Sequence, residues 1–244
     1  MKPIVLIHGL IGSLDNPDFL ATFGPRRAHA PALLGYGTYQ DHVRRSWTLR
    51  DQADHIAGFI HANSEGPVHV VGHSAGGAVA VMLALLHPRL VRSVTSVEGN
   101  FTLADAFWSL KFAKMPLHEV EAQLEAFRGD PAAWLGRAGV AVTPWSLAMA
   151  AVALTHQPAA TLQKQSQAIV AATEHPSFLE GVRQILQHGI PLHLLAGSRS
   201  AKGWDVPDWV RRQAASDVEL PNTGHLMMLE DPAAFARAVT SPLD

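Results

Sequence analysis

Apolar residues along this chain recur in two alternating patterns. Short, nearly unbroken apolar runs at Ile4–Ile7, Val68–Val71 and Pro191–Ala196 have the length and flanking glycines of strands buried on both faces, and Ser93–Val97 reads as another strand. Shorter strands are expected at Arg27–Ala30 and Asp217–Leu220. Between them, apolar positions three and four apart mark helices. Leu49, Ala53, Ile56, Ala57 and Ile60 share one face of a helix over Leu49 to Ala62, for which Ser46 is the expected N-cap. Further helical runs cover Ala78–Leu86, Phe178–Gln187 and Pro207–Ala215, and a last one starts at Asp231-Pro232 and runs to Thr240. Strands alternating with helices predict an α/β protein with a mostly parallel sheet and helices on both faces.

The alternation lapses between Phe101 and Pro176. No strand pattern occurs there, and helical stretches are separated by Gly129-Asp130-Pro131, Thr143-Pro144 and Gln157-Pro158. The pattern predicts a core formed by residues 1–100 and 177–244, with a helical cap at 101–176 inserted after the fourth strand. The cap carries Phe101, Phe107, Trp108, Phe112, Phe127, Trp134 and Trp145. Most of these aromatics are expected to hold the insertion together, with Phe101, Trp108 and Trp145 as candidates for facing a ligand.

Candidate chemistry concentrates where the Val68 strand meets the next helix, at Gly72-His73-Ser74-Ala75-Gly76. A serine on so tight a strand-to-helix turn takes a strained backbone, and glycines on either side let neighbouring main chain approach. Its hydroxyl then stands clear of the sheet. The N–H of Ala75, at the start of the helix, is a candidate oxyanion donor. A second glycine-rich turn, His8-Gly9-Leu10-Ile11-Gly12-Ser13, ends the first strand and offers the N–H of Leu10 as the other donor. His8 itself is expected to fix that loop by hydrogen bonds. Of the 14 histidines, His225 has the best context for a base, because its loop Pro221–His225 follows the last strand and ends at the same edge of the sheet as Ser74.

Composition narrows the possibilities further. A chain of 244 residues with 48% hydrophobic and 16% charged residues can bury a sizeable core. Its formal net charge of −2 gives no electrostatic reason to expect nucleic acid as a partner. With no cysteine there is neither a disulfide nor a thiolate nucleophile. His61, His69 and His73 are close in sequence but show no HExxH spacing, so neither metal nor cofactor is expected. The apolar strand begins directly after Met1-Lys2-Pro3, and no apolar run is long enough to span a bilayer, so a cytoplasmic protein without an integral membrane segment is expected.

With Gly72-His73-Ser74-Ala75-Gly76 on strand, turn and helix, His8-Gly9 after the first strand, and Gly224-His225 followed by Leu229-Glu230-Asp231-Pro232, the chain resembles the α/β-hydrolase superfamily. The resemblance covers nearly all of it except the insertion. It implies a shortened sheet of about six strands, since the chain opens at the family's third strand. It also implies a nucleophile at Ser74, a base at His225 and an acid between them. Many members place that acid shortly after the penultimate strand, where this chain has Ser200. Two candidates remain: Glu98 at the end of the preceding strand, and Asp205 farther along the expected loop, where it would instead cap a helix. The expected activity is hydrolysis of a hydrophobic carboxylic ester or lactone through an acyl-enzyme on Ser74. Perhydrolase, acyl-transfer and carbon–carbon hydrolase chemistry stay open on the same scaffold, as does a receptor that binds small molecules without turnover.

Overall fold

The structure, a computed structural model, describes residues 1–40 and 47–243. In chain order the elements are β1 (Ile4–Ile7), α1 (Pro17–Ala21), β2 (Ala28–His29), α2 (Leu49–Asn63), β3 (Val68–His73), α3 (Ala75–Leu86) and β4 (Val91–Val97). Five helices follow: α4 (Phe107–Lys114), α5 (Leu117–Gly129), α6 (Pro131–Arg137), α7 (Pro144–Thr155) and α8 (Ala159–Thr173). Then come α9 (Ser177–Gln187), β5 (Leu192–Gly197), α10 (Asp208–Gln213), β6 (Ser216–Leu220), α11 (Met227–Glu230) and α12 (Pro232–Thr240). Among the described residues no helix is long and apolar enough to cross a membrane.

The six strands form one sheet in the order β2-β1-β3-β4-β5-β6, and every neighbouring pair is parallel. Parallel neighbours need crossovers, which is why helices intervene and cover the sheet. The strand period of two sorts side chains between the faces. Val5 and Ile7 pack with α2, α3 and α9 through Ile56, Val79 and Val182, whereas Ile4 and Leu6 pack with α1 and α12 through Phe19 and Phe235. Central strands β1, β3 and β5 are buried throughout, while β6 lies at an edge with Asp217, Val218 and Glu219 exposed.

Local signals account for the helix starts. Thr48 caps α2 in a reciprocal box with Asp51, and the expected cap, Ser46, lies outside the described residues. Asp130 and Thr143 cap α6 and α7, each followed by a proline at the first helical position. Strand order reverses around β1, so the loops leaving β1 and β3 face each other across a crevice at the carboxyl edge of the sheet.

Candidate active site

Ser74 sits where β3 passes into α3, at φ 52° and ψ −123°, a backbone conformation that side chains rarely adopt. Main-chain crowding forces it. A side chain on Gly72 would collide with the carbonyl of Gly76, and one on Gly76 with the carbonyl of Ile7. The Ser74 N–H donates to Val97 O (2.9 Å), and Gly77 N–H donates back to Ser74 O (2.8 Å). Strain of about 1–3 kcal/mol at such a residue persists only when the surroundings fix it this completely. Ala75 is the first residue of α3, so its amide precedes the helical ladder.

Facing this turn is the loop after β1. His8 donates from Nδ1 to Gly9 O (2.8 Å), while its Nε2 accepts from Leu33 N–H (3.3 Å). These two bonds fix the tautomer and the plane of the Gly9–Leu10 peptide, whose N–H belongs to Leu10. Burial, with His156 nearby, pushes the His8 pKa down to about 3, so the ring stays neutral. Tyr36 adds a hydroxyl bond to Leu10 O at 2.9 Å. Leu10 and Ser74 line the same cavity.

The turn after β4 places Glu98, also at positive φ (40°). Its side chain is 5% exposed and saturated with donors. His225 Nδ1 lies 2.7 Å from Oε2, while Ser200 Oγ (2.5 Å) and Gly197 N–H (2.8 Å) bond Oε1. Burial works to raise the Glu98 pKa, but the bond and charge of His225, with Ser200 and Gly197, outweigh it and hold the carboxyl below its ordinary value. The carboxylate therefore fixes the His225 ring, leaving Nε2 as the nitrogen available for proton transfer. His225 is 42% exposed and lines the cavity beside Ser74, although no hydrogen bond joins Ser74 Oγ to the ring. Such contacts commonly tighten only around a substrate.

Further bonds hold the His225 loop. His73, buried and with its pKa pushed down to about 3 by burial and by His225, donates from Nε2 to the His225 carbonyl (2.9 Å). Arg199 bonds Asn222 O (2.6 Å), Gly139 O (2.9 Å) and Glu230 Oε2 (2.6 Å), and Glu230 Oε1 accepts from Gly224 N–H (2.7 Å).

The structure thus joins a six-stranded parallel sheet, a strained serine after β3, and a histidine beyond β6 paired with a glutamate after β4. The model of the Alpha/beta hydrolase family matches residues 4–238. The chain belongs to this family. Among curated relatives, the RutD protein of Pantoea ananatis, provisionally named a carbamate hydrolase, is 35% identical over 100 residues, 40% of this chain and 36% of that protein. Lipase LipV of Mycobacterium tuberculosis is 38% identical over 74 residues, 30% of this chain and 28% of the lipase. These matches span about a third of each relative's length, 36% and 28%. Among solved structures, an esterase from Thermogutta terrifontis superposes with a TM-score of 0.72 at 18% identity, covering 100% of this chain and 89% of that one, which is a likeness of fold.

In this alpha/beta hydrolase the two candidate acids part company. Asp205 is exposed; its carboxylate accepts from Thr102 Oγ1 (2.6 Å), it meets no histidine, and it caps no helix, since α10 starts after Pro207. The cavity itself encloses about 470 Å³. Of the three aromatics expected to face it, Trp108 does. Phe101 does not: it is fully buried and packs toward Trp204, ring centroids 6.0 Å apart. Trp145 does not either, because it packs against the core on the α12 side of the sheet. Phe107, Phe112, Phe127, Trp134 and Trp204 complete the aromatic lining, with Asp105 and Arg137 as its charged members besides Glu98. Burial pushes Asp105 up to about 6, against the amides of Phe101 and Asp205 that bond its carboxylate. Among the described residues no group of three metal-binding side chains gathers.

Proposed function

We propose that this protein is a serine hydrolase of carboxylic esters or lactones with a hydrophobic acyl or alcohol part, working through an acyl-enzyme on Ser74. The observation that carries this reading is the 2.7 Å pairing of His225 with a buried, multiply bonded Glu98, on the cavity that Ser74 lines. The Ser74 hydroxyl attacks the carbonyl as His225 Nε2 accepts its proton, and Glu98 holds and balances the resulting imidazolium. The carbonyl oxygen becomes an oxyanion, held by the N–H groups of Leu10 and Ala75. His225 then returns the proton to the departing alkoxide. Water activated by the same ring releases the acid and restores the serine hydroxyl.

The five helices α4 to α8 act in this reading as a cap whose aromatics exclude water and bind the apolar part of the substrate. No step draws on a metal or cofactor. The relative provisionally named a carbamate hydrolase makes aryl carbamates a second panel to test beside esters.

The test is the initial rate on p-nitrophenyl esters of increasing acyl length, for wild type and Ser74→Ala in parallel. Ser74→Ala should lose turnover by about 10⁶-fold, by analogy with removal of a triad serine, and a fluorophosphonate should label the wild type stoichiometrically at Ser74 alone. Equal rates in the two proteins would overturn the reading.

A further inference from the structure

Arg137, the last residue of α6, lines the candidate active-site cavity. Its guanidinium carbon lies 5.5 Å from the centre of the Phe127 ring, which belongs to the same wall. Stacking on an aromatic face orients a guanidinium while leaving its edge of N–H donors open. Among the described residues no ion pair or hydrogen bond occupies those donors. Three other arginines have their donors engaged. Arg128, on the neighbouring helix α5, bonds Glu125, Leu154 O and Gln157 O; Arg199 bonds Glu230, Asn222 O and Gly139 O; and Arg211 bonds Asp217.

Arg137 is exposed, and among the described residues it is the one Lys or Arg side chain in a lining whose apolar part is largely aromatic and whose polar part includes Asn100, Ser109 and Ser200. The other charged groups facing the cavity are already engaged. Glu98 is bonded to His225, Ser200 and Gly197, and Asp105 is bonded to the amides of Phe101 and Asp205. Lys111, whose ammonium lies 5.1 Å from the centre of the Trp108 ring, adds a second positive charge beside a ring that lines the cavity. A planar fork of N–H donors matches a carboxylate in bidentate geometry.

We infer that Arg137 forms a carboxylate subsite, and that the substrate class is a half-ester: an ester carbonyl at Ser74, an apolar spacer along the aromatic wall, and a free carboxylate on Arg137. This inference rests on the serine-hydrolase reading for the reaction. The subsite itself is a statement about binding.

The experiment compares p-nitrophenyl hexanoate with mono-p-nitrophenyl adipate, which differ in the terminal carboxylate, for wild type, Arg137→Met and Arg137→Lys. In Arg137→Met the ratio of kcat/KM for the adipate half-ester to that for the hexanoate should fall at least tenfold, chiefly through KM. Arg137→Lys should recover part of it, and added salt should compress the difference. A ratio unchanged by Arg137→Met would overturn the subsite. Absence of turnover on both esters by the wild type would instead overturn the hydrolase reading. The subsite is then decided by calorimetric titration of monomethyl adipate into Ser74→Ala and Ser74→Ala/Arg137→Met. An affinity at least tenfold weaker in the double variant supports the subsite, and equal affinities refute it.

Discussion

Two turns at the carboxyl edge of the sheet place the central side chains, and they are built by different means. The turn after β3 holds Ser74 by backbone contacts alone: glycines with no room for a side chain, a bond to Val97 O, and the first turn of α3. The turn after β4 holds Glu98 through its carboxylate, which collects His225, Ser200 and Gly197 from distant parts of the chain. Both residues sit at positive φ, and the turns touch, since a side chain on Gly77 or Gly99 would strike the other's backbone. Ser74 is thus fixed by steric exclusion, whereas the histidine–glutamate pair is fixed by satisfied polar groups. The first arrangement resists change at glycines, and the second at hydrogen-bond partners.

The sharpest way to break the polar side is Glu98→Gln. An amide cannot balance the imidazolium, so kcat/KM should fall by about 10³–10⁴-fold, by comparison with a triad aspartate, while Asp205→Asn retains activity. Wild-type kinetics for Glu98→Gln beside an inactive Asp205→Asn would reverse the assignment. On the steric side, Gly72→Ala drives a methyl into the Gly76 carbonyl. A cost of about 3 kcal/mol is expected for such overpacking, or a Tm lower by roughly 6–12 °C in a chain of this size. A Tm within one or two degrees of wild type would show that the turn can relax.

Ser200→Ala should have the smallest effect. It removes one bond to a charged carboxylate, worth about 1.5 kcal/mol, and should lower kcat/KM about tenfold. Its signature is the pH dependence of stability. Ser200 helps to hold Glu98 below the ordinary value of 4.5. Stability from a depressed carboxyl is complete above the unfolded-state pKa and is lost as pH falls through the folded-state value. The gap between wild type and Ser200→Ala in urea unfolding should therefore be widest above pH 4.5 and narrow in acid. A gap constant with pH would mean that Ser200 does not act through the charge of Glu98.

The same contrast explains what the sequence discloses. Ser74 is legible because the glycines that shape its turn lie within a few residues of it, as are the strands and the helix starts at Asp130-Pro131 and Thr143-Pro144. Thr48 and Asp51 carried a cap signal that a reading centred on Ser46 passes over. Glu98 and Asp205 stay open as alternatives, because the choice depends on which carboxylate meets His225, a contact 127 residues apart. That Ser200 donates to the acid is invisible for the same reason. The cavity wall is least legible. Aromatic content cannot say which rings turn inward, so Phe101 and Trp145 were expected there, while Phe107, Phe112, Phe127 and Trp204 supply the wall. Nothing in the sequence marks Arg137, which ends a helix as surface arginines commonly do.

The distance between Glu98 and His225 along the chain also sets the order in which competence can be lost. Closing a loop of 127 residues costs roughly 4 kcal/mol of chain entropy, and that contact depends on β6 and the loop beyond it staying docked at the sheet edge. The Ser74 turn closes through a bond spanning Ser74 to Gly77. A partial opening that releases only the carboxyl-terminal strand and helices would leave Ser74 in its strained shape with no imidazole beside it. On the serine-hydrolase reading, the population of such a folded but silent form, and not the stability of the sheet as a whole, limits how long a sample keeps its activity near the edge of its tolerance.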